Sequence, residues 1–433
     1  MGSIEVLILI LSFVVLLGIG VPIAFSIAIS ATLTLIVSVP ALSTLTTIAQ
    51  RMGTGLDSFT LLAIPFFILA GQLMNSGGIA RRLIDFARAL VGALPGGLAF
   101  VNIIANMLFG AISGSAVASA SAIGSAMGPR MEKEGYDKAY SAAVNISSAT
   151  TGLIIPPSNI LIVFSLASGG VSIAALFMAG YVPGLLIGAL LMLCAGVMAK
   201  RRGYPSGEKA SFAKVTSTFV AALPSLLMLV VVIGGIVNGI FTATEASAIA
   251  VLYSAILVFM YKEVSISDIR PLILNTVKTT SIVLFLVATS LALSWVMAYE
   301  NIPQTITDVL LTISDNPIII LLIINVILLC VGIFMDMTPA VLIFTPIFLP
   351  VVVATGMDPV HFGIMMVLNL CIGLCTPPVG SVLFVGCSVA KLKIHEVIKP
   401  LLPLFITMLV GLMLITFIPE ISLWLPRALG LME

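Results

Sequence analysis

One carboxylate stands alone in very apolar surroundings. Asp336, in F-M-D-M-T-P (334 to 339), is the only acidic residue between Asp315 and Asp358, and runs of Ile, Leu and Val flank it. A charge at membrane depth costs about 2.5 to 3.5 kcal/mol on insertion scales, so such a residue is a candidate for binding or, failing that, for capping a helix arm. The residue 221 positions earlier is Ser115, at the end of I-S-G-S (112 to 115). Ser113, Gly114 and Ser115 offer hydroxyls and a flexible backbone, although small residues at this spacing also serve close helix packing.

The same offset relates two further segments. G-L-I-I-P-P-S-N (152 to 159) and G-L-C-T-P-P-V-G (373 to 380) each interrupt an apolar run, and Ile112/Ile333, Pro129/Pro350, Gly135/Gly356 and Asp137/Asp358 align without a gap. Proline removes a backbone donor and clashes with the preceding turn, so each Pro-Pro frees carbonyls where no bulk water can satisfy them. Interrupted spans at matching positions of two halves point to the binding site of a secondary transporter. After Pro157 the helix restarts at Ser158 and Asn159, and free N–H groups at such a start favour anions. The second half has Val379, Gly380 and Ser381 there, so side-chain recognition leans on the first half. Ser115, Ser158, Asn159 and Asp336 are the candidate substrate-binding residues.

Polar residues crowd 145 to 151, N-I-S-S-A-T-T, either lining a cavity or joining helices by hydrogen bonds. Glu245, in F-T-A-T-E-A-S-A (241 to 248), has a plainer reading: Thr242 or Thr244 caps a helix with Glu245 in its first turn.

These groups need elements to hold them. Of 433 residues 60% are hydrophobic and 9% charged, far below the roughly 25% charged of a soluble globule. Spans of about 20 apolar residues are expected near 4 to 19, 22 to 39, 61 to 77, 138 to 168, 173 to 198, 216 to 238, 243 to 261, 279 to 298, 358 to 390 and 400 to 418. Residues 97 to 129 and 317 to 352 are too long for one crossing, and I-S-G-S and F-M-D-M-T-P fall near their middles. Both read as re-entrant hairpins. Short segments before them, 79 to 90 and 302 to 313, read as helices lying in the interface.

Charge orients the halves, because cytoplasmic loops collect Lys and Arg. With the N-terminus periplasmic, every basic residue except Arg51 and Arg427 falls inside. The first hairpin is flanked by Arg81, Arg82 and Arg88 before it and Arg130, Lys133 and Lys138 after it; the second has Glu300, Asp308 and Asp315 before it and Asp358 after it. They enter from opposite sides. The expected fold is an all-α polytopic membrane protein of two inverted repeats, 1–215 and 216–433. Each repeat has five transmembrane helices, one re-entrant hairpin (97–129; 317–352) and one broken helix (138–168; 358–390).

Several classes are set aside. A net charge of +1 with no basic, aromatic-interleaved run gives no sign of nucleic acid. The N-terminal M-G-S-I-E-V-L-I lacks a positive region and a cleavage site, so it reads as a retained span. Cys194, Cys330, Cys371, Cys375 and Cys387 sit in apolar sequence and read as reduced packing residues; with only His361 and His395 in the chain, no zinc site is expected. An intramembrane aspartyl protease needs a second aspartate and a metalloprotease needs H-E-x-x-H, so no enzyme is expected and no cofactor. Neither tips nor breaks contain Lys or Arg, so an anionic substrate would be neutralised by co-bound cations and helix N-termini.

Together S-G-S-A-V-A-S-A (113 to 120), G-L-I-I-P-P-S-N, F-T-A-T-E-A-S (241 to 247), M-D-M-T-P-A (335 to 340) and G-L-C-T-P-P-V-G resemble the large membrane subunit of the tripartite ATP-independent periplasmic (TRAP) transporters, across essentially the whole chain. The resemblance implies a bacterial inner-membrane protein of elevator type that imports an organic acid, a sialic acid or a C4-dicarboxylate. Its implied partners are a periplasmic substrate-binding protein, a small membrane subunit and membrane lipid, with sodium as the coupling ion. One sodium would lie around Ser113 and Ser115 with carbonyls near Gly152 and Pro156. A second would lie near Asp336 and Thr338 with carbonyls near Gly373 and Thr376. A stand-alone carboxylate transporter of the same architecture is the alternative.

Overall fold

The computed structural model describes residues 2–76, 78–207, 210–314 and 316–432; Lys209 and Asp315, which enter the charge pattern above, fall outside these. Helices follow the apolar runs and stop at Gly, Pro or a capping side chain. In the first half they are α1 (Gly2–Gly18), α2 (Ile23–Ser38), α3 (Ala41–Gly55), α4 (Ala63–Ser76), α5 (Ile79–Val91), α6 (Gly97–Ser113), α7 (Ala116–Lys133), α8 (Lys138–Ala149), α9 (Asn159–Ala167) and α10 (Ile173–Arg201). In the second they are α11 (Phe212–Val237), α12 (Ala243–Tyr261), α13 (Ile266–Tyr299), α14 (Ile302–Ile313), α15 (Pro317–Phe334), α16 (Met337–Ala354), α17 (Pro359–Gly373), α18 (Ser381–Ala390), α19 (Ile394–Phe417) and α20 (Glu420–Ala428).

A shift of 221 residues carries the first set onto the second. Lys138 and Ile173, which begin α8 and α10, fall on Pro359 and Ile394, which begin α17 and α19. The hairpin α6–α7 falls on α15–α16, and α2 falls on α12. Capping repeats too: Asp137 Oδ1 accepts from Tyr140 N at 2.8 Å, and Asp358 Oδ1 accepts from Val360 N at 2.7 Å. With the opposed charge flanks, this is an all-α polytopic membrane protein built of two inverted repeats, each contributing five spans, a hairpin and a broken helix.

Details depart from expectation for local reasons. Both hairpins run past 129 and 352, because α7 and α16 tolerate Pro129 and Pro350 and stop only before Gly135 (φ +84°) and Gly356 (φ +86°). That left-handed conformation is one glycine adopts without a Cβ penalty. The span expected at 279–298 is the far part of α13, which starts at Ile266 because Ser265 and Asp268 form a capping box. Its counterpart in the first repeat is split into α3 and α4. The capping box at Thr242 and Glu245 starts α12 as read from sequence.

Packing sorts the helices. α2, α3, α4 and α16 pack on α13, and α12 on α4 and α11, while α8 and α17 lie at the centre between the hairpins, α10 and α19. Every residue of α17 from Val360 to Gly373 is buried, whereas α1 exposes Leu7, Leu11 and Val14, as a lipid-facing helix must. α4 meets α6 and α9, and α13 meets α16; these contacts frame the site.

Candidate functional site

Both breaks are held by glycine against glycine. α8 ends at Ala149, a short 3-10 turn covers Thr151–Leu153, and α9 restarts at Asn159. A Cβ on Gly152 would lie 2.4 Å from Gly110 Cα, and one on Gly373 would lie 2.6 Å from Gly332 Cα. No side chain fits at either place, so the hairpin arms α6 and α15 press directly on the interrupted backbone. Some freed carbonyls are answered locally. Ser158 Oγ donates to Leu153 O at 2.5 Å, and Leu374 O accepts from Val382 N at 3.2 Å.

The two hairpin tips have the same backbone plan and different chemistry. Ser115 and Asp336 both occupy the position before an arm helix. Ser115 Oγ accepts from Ala118 N at 3.2 Å and so caps α7, whereas the Asp336 carboxylate takes only the first backbone N–H of α16, that of Met337, and not the later ones a capping side chain meets. Ser113 Oγ points across the first tip to Ser115 O at 3.5 Å, and Gly114 turns with φ +63°.

The tips meet in one cavity of about 360 Å³. Ser113, Ser115 and Asn159 line it from the first repeat, and Asp336 and Thr338 from the second. Gly114 stands so near Asn159 that a Cβ there would lie 3.0 Å from Asn159 Nδ2. Gly152, Pro156, Gly373 and Thr376 do not line the cavity; Gly152 and Gly373 stand behind the tips at the glycine contacts, and Thr376 Oγ1 donates to Ile372 O at 2.7 Å. Ser158 is buried with its hydroxyl committed to Leu153 O and is likewise outside the cavity. No Lys or Arg lines the cavity among the described residues.

Three polar residues complete the wall that sequence reasoning missed: Gln72 and Asn75 on α4 and Thr279 on α13. Gln72 and Asn75 are spaced by three in an otherwise apolar span, which puts them on one helix face. That spacing was a readable signal. α4 also approaches the first tip closely, since a Cβ on Gly71 would lie 2.6 Å from Ser113 O.

Comparison with known proteins agrees with this architecture. The family model described as "Tripartite ATP-independent periplasmic transporter, DctM component" matches residues 10–421. The chain is 55% identical to the Salmonella typhimurium protein YgiK, with 97% of each covered. It is 38% identical to the C4-dicarboxylate TRAP transporter large permease protein DctM of Rhodobacter capsulatus, over 89% of this chain and 91% of that one. With the sialic acid TRAP transporter large permease protein SiaM of Vibrio cholerae the identity is 39%, over 88% and 89%. Among solved structures the YdaH transporter of Alcanivorax borkumensis superposes with a TM-score of 0.65 at 15% identity, over 87% of this chain and 88% of that one, a likeness of fold. Two inverted repeats, paired Gly…Pro-Pro breaks and a family match along nearly the whole length lead to one conclusion: the chain belongs to the tripartite ATP-independent periplasmic transporters, as a large permease component.

Proposed function

We propose that this permease imports an organic acid in symport with sodium, receiving it from a periplasmic binding protein and carrying it by an elevator movement of the hairpins and broken helices against the outer helices. The observation that carries this reading is the meeting of both hairpin tips in one cavity, with the Asp336 carboxylate on its wall and no basic residue among the described lining. A substrate anion in such a place needs cations beside it. One sodium is assigned to Ser113 and Ser115 with carbonyls near Gly152 and Pro156, supported by the Gly110–Gly152 contact that sets tip and break together. The other is assigned to Asp336 and Thr338 with carbonyls near Gly373 and Thr376, supported by the matching Gly332–Gly373 contact.

The distribution of basic residues supports a periplasmic N-terminus. Gln72, Asn75 and Thr279 then lie towards the cytoplasmic ends of α4 and α13, close in sequence to Arg81 and to Lys278, so the cavity belongs to a cytoplasm-facing state. The substrate is a sialic acid or a C4-dicarboxylate, and the uncharged amides and hydroxyls of the wall favour the more hydroxylated of the two. A small membrane subunit and lipid cover the exposed apolar faces of the outer helices.

Uptake into proteoliposomes tests the whole reading. Transport should require inward sodium, the cognate binding protein and the small subunit. Uptake by this chain alone would return the stand-alone alternative, and full rates without sodium would remove the coupling.

A further inference from the structure

The two sides of the substrate cavity differ in chemistry and belong to parts that the elevator movement separates. The carboxylate of Asp336 and the hydroxyls of Ser113 and Ser115 stand on the hairpin tips, and Gln72 and Asn75 on α4 and Thr279 on α13 face them. α4 packs on α12 and α13, so this second wall is made of outer helices.

α4 meets the first tip at a defined place. A Cβ on Gly71 would lie 2.6 Å from Ser113 O, so the helix backbone touches the tip with no side chain between them. Asn75 follows four positions later on the same face, about 6 Å nearer the end that leads to Arg81 and Arg82. Thr279 likewise adjoins Lys278, while Val283, one turn further along α13, lines the same cavity. The polar groups of the outer wall therefore lie on the basic side of the tip, where an acid leaving it must pass.

These groups are also uncommitted. Neither amide side chain nor the Thr279 hydroxyl makes a hydrogen bond among the described residues. Amides deeper in the protein are spent on it: Asn106 Nδ2 donates to Asn102 Oδ1 at 2.7 Å, and Asn369 Nδ2 donates to Asn325 Oδ1 at 2.8 Å. A primary amide both donates and accepts and bears no charge, which suits the hydroxyls of a sugar acid.

We infer that Gln72, Asn75 and Thr279 form a release subsite, which holds the hydroxylated part of the acid only while the tips face the cytoplasm and from which the tips withdraw as they return. A group that meets the ligand in one of two states changes affinity in that state alone. The subsite therefore sets how strongly acid already inside the cell rebinds and slows the next cycle, and it takes no part in capture from the periplasmic side. The inference rests on the cytoplasm-facing elevator reading above.

Uptake against internal acid tests it. Proteoliposomes carrying the permease and its small subunit are supplied outside with sodium and the loaded binding protein, and are preloaded with N-acetylneuraminate or with succinate. The readout is a ratio: the internal concentration that halves initial uptake, divided by the external concentration of loaded binding protein that half-saturates it. For internal N-acetylneuraminate, Gln72→Ala and Asn75→Ala should each raise this ratio about fivefold, as the loss of one hydrogen bond would. Should an alanine variant fail to assemble, Thr279→Val removes one hydroxyl at nearly constant volume and carries the same expectation. An unchanged ratio overturns the subsite, because the acid then leaves without touching the outer wall or meets these groups equally in both states. Parent uptake that internal succinate slows more strongly than N-acetylneuraminate overturns the assignment to hydroxyls. Sodium-dependent uptake that persists beside an unchanged ratio would remove the subsite alone, whereas sodium-independent uptake, or uptake by this chain alone, would remove the reading beneath it.

Discussion

At one pair of equivalent places the first repeat carries Tyr140 and the second His361. Tyr140 Oη donates to Ala195 O at 2.8 Å, and His361 Nε2 lies 3.3 Å from Thr416 O; both the side chains and their carbonyl partners are related by the 221-residue shift. The tether between broken helix and following span is retained while its chemistry changes. His361 Nδ1 is left buried without a partner, which the phenol does not incur. At the centre, Cys371 Sγ reaches Thr150 O at 3.5 Å, and these two positions are themselves equivalents, so the symmetry axis passes between α8 and α17. Away from the axis the halves diverge. Residues 154–158 of the first break are all buried, whereas Pro378 and Val379 of the second are exposed, Val379 by 43%. A shared backbone in two environments is what alternating access requires, and in the proposed movement the second break becomes the covered one.

The largest effect should fall on the unequal tips. Asp336→Asn is expected to lower sodium-driven uptake about a hundredfold, equivalent to roughly 2.8 kcal/mol, at normal expression. Ser115→Ala should cost about tenfold, because its hydroxyl is shared between the cavity and the α7 cap. Equal losses in initial-rate measurements would break the claim that one tip carries the charge and the other only hydroxyls. Wild-type rates in both would remove the tips from the site.

Next come the glycine contacts, where the repeats should behave alike. Gly152→Ala and Gly373→Ala each set a methyl against backbone, at 2.4 Å and 2.6 Å from the facing glycine Cα. Overpacking of this kind costs about 1 to 3 kcal/mol, read as a fall in Tm of the purified protein. A fall in one variant only would show that a single break is tightly packed and would end the structural equivalence of the two.

Much of this arrangement was legible in the chain because its interruptions are chemically abrupt. Pro-Pro in an apolar run frees carbonyls wherever it stands, and a lone Asp among Ile and Leu marks depth, so the breaks, the hairpins and the Ser115/Asp336 pairing could be read from residues alone. Charge supplied the inversion. What could not be read was which groups meet across helices. Gln72, Asn75 and Thr279 come from segments remote in sequence from the tips, and a polar pair on a span shows which face is polar without showing what lies opposite. Ser158 illustrates the reverse error: a hydroxyl at a helix restart suggests a ligand, but the nearest unmet acceptor is Leu153 O in the same loop, and the bond closes locally. α3 was missed because A-L-S-T-L-T-T-I-A-Q-R-M is too polar for a span, yet it is amphipathic enough to lie against α13.

The Tyr140/His361 tethers predict a smaller difference. Tyr140→Phe removes the buried hydrogen bond to Ala195 O, at a cost of about 1 kcal/mol. His361→Phe should cost less, because it also removes the unpartnered Nδ1. Thermal unfolding of the two variants ranks them, and a larger loss for His361→Phe would mean that the second repeat relies on its tether more than the first.

The smallest expected effect concerns α5 and α14. On the basic face α5 is clasped crosswise to the first hairpin and the turn after it, Asp85 to Arg130 at 3.4 Å and Arg88 to Glu134 at 2.9 Å. α14, its equivalent, has Asp308 as its only charged residue. These ion-pair side chains are one-third to one-half exposed, so water screens them, and an exposed pair contributes about 0.2 to 1 kcal/mol. Arg88→Gln should therefore lower Tm slightly at low salt and hardly at all near ~1 M, where the screening length is about 3 Å. Asp308→Asn should change nothing. A salt-independent loss above about 1 kcal/mol in Arg88→Gln would exceed what a screened pair can supply, and the guanidinium would then be holding α5 on the hairpin by packing its stem, a junction for which α14 has no counterpart residue.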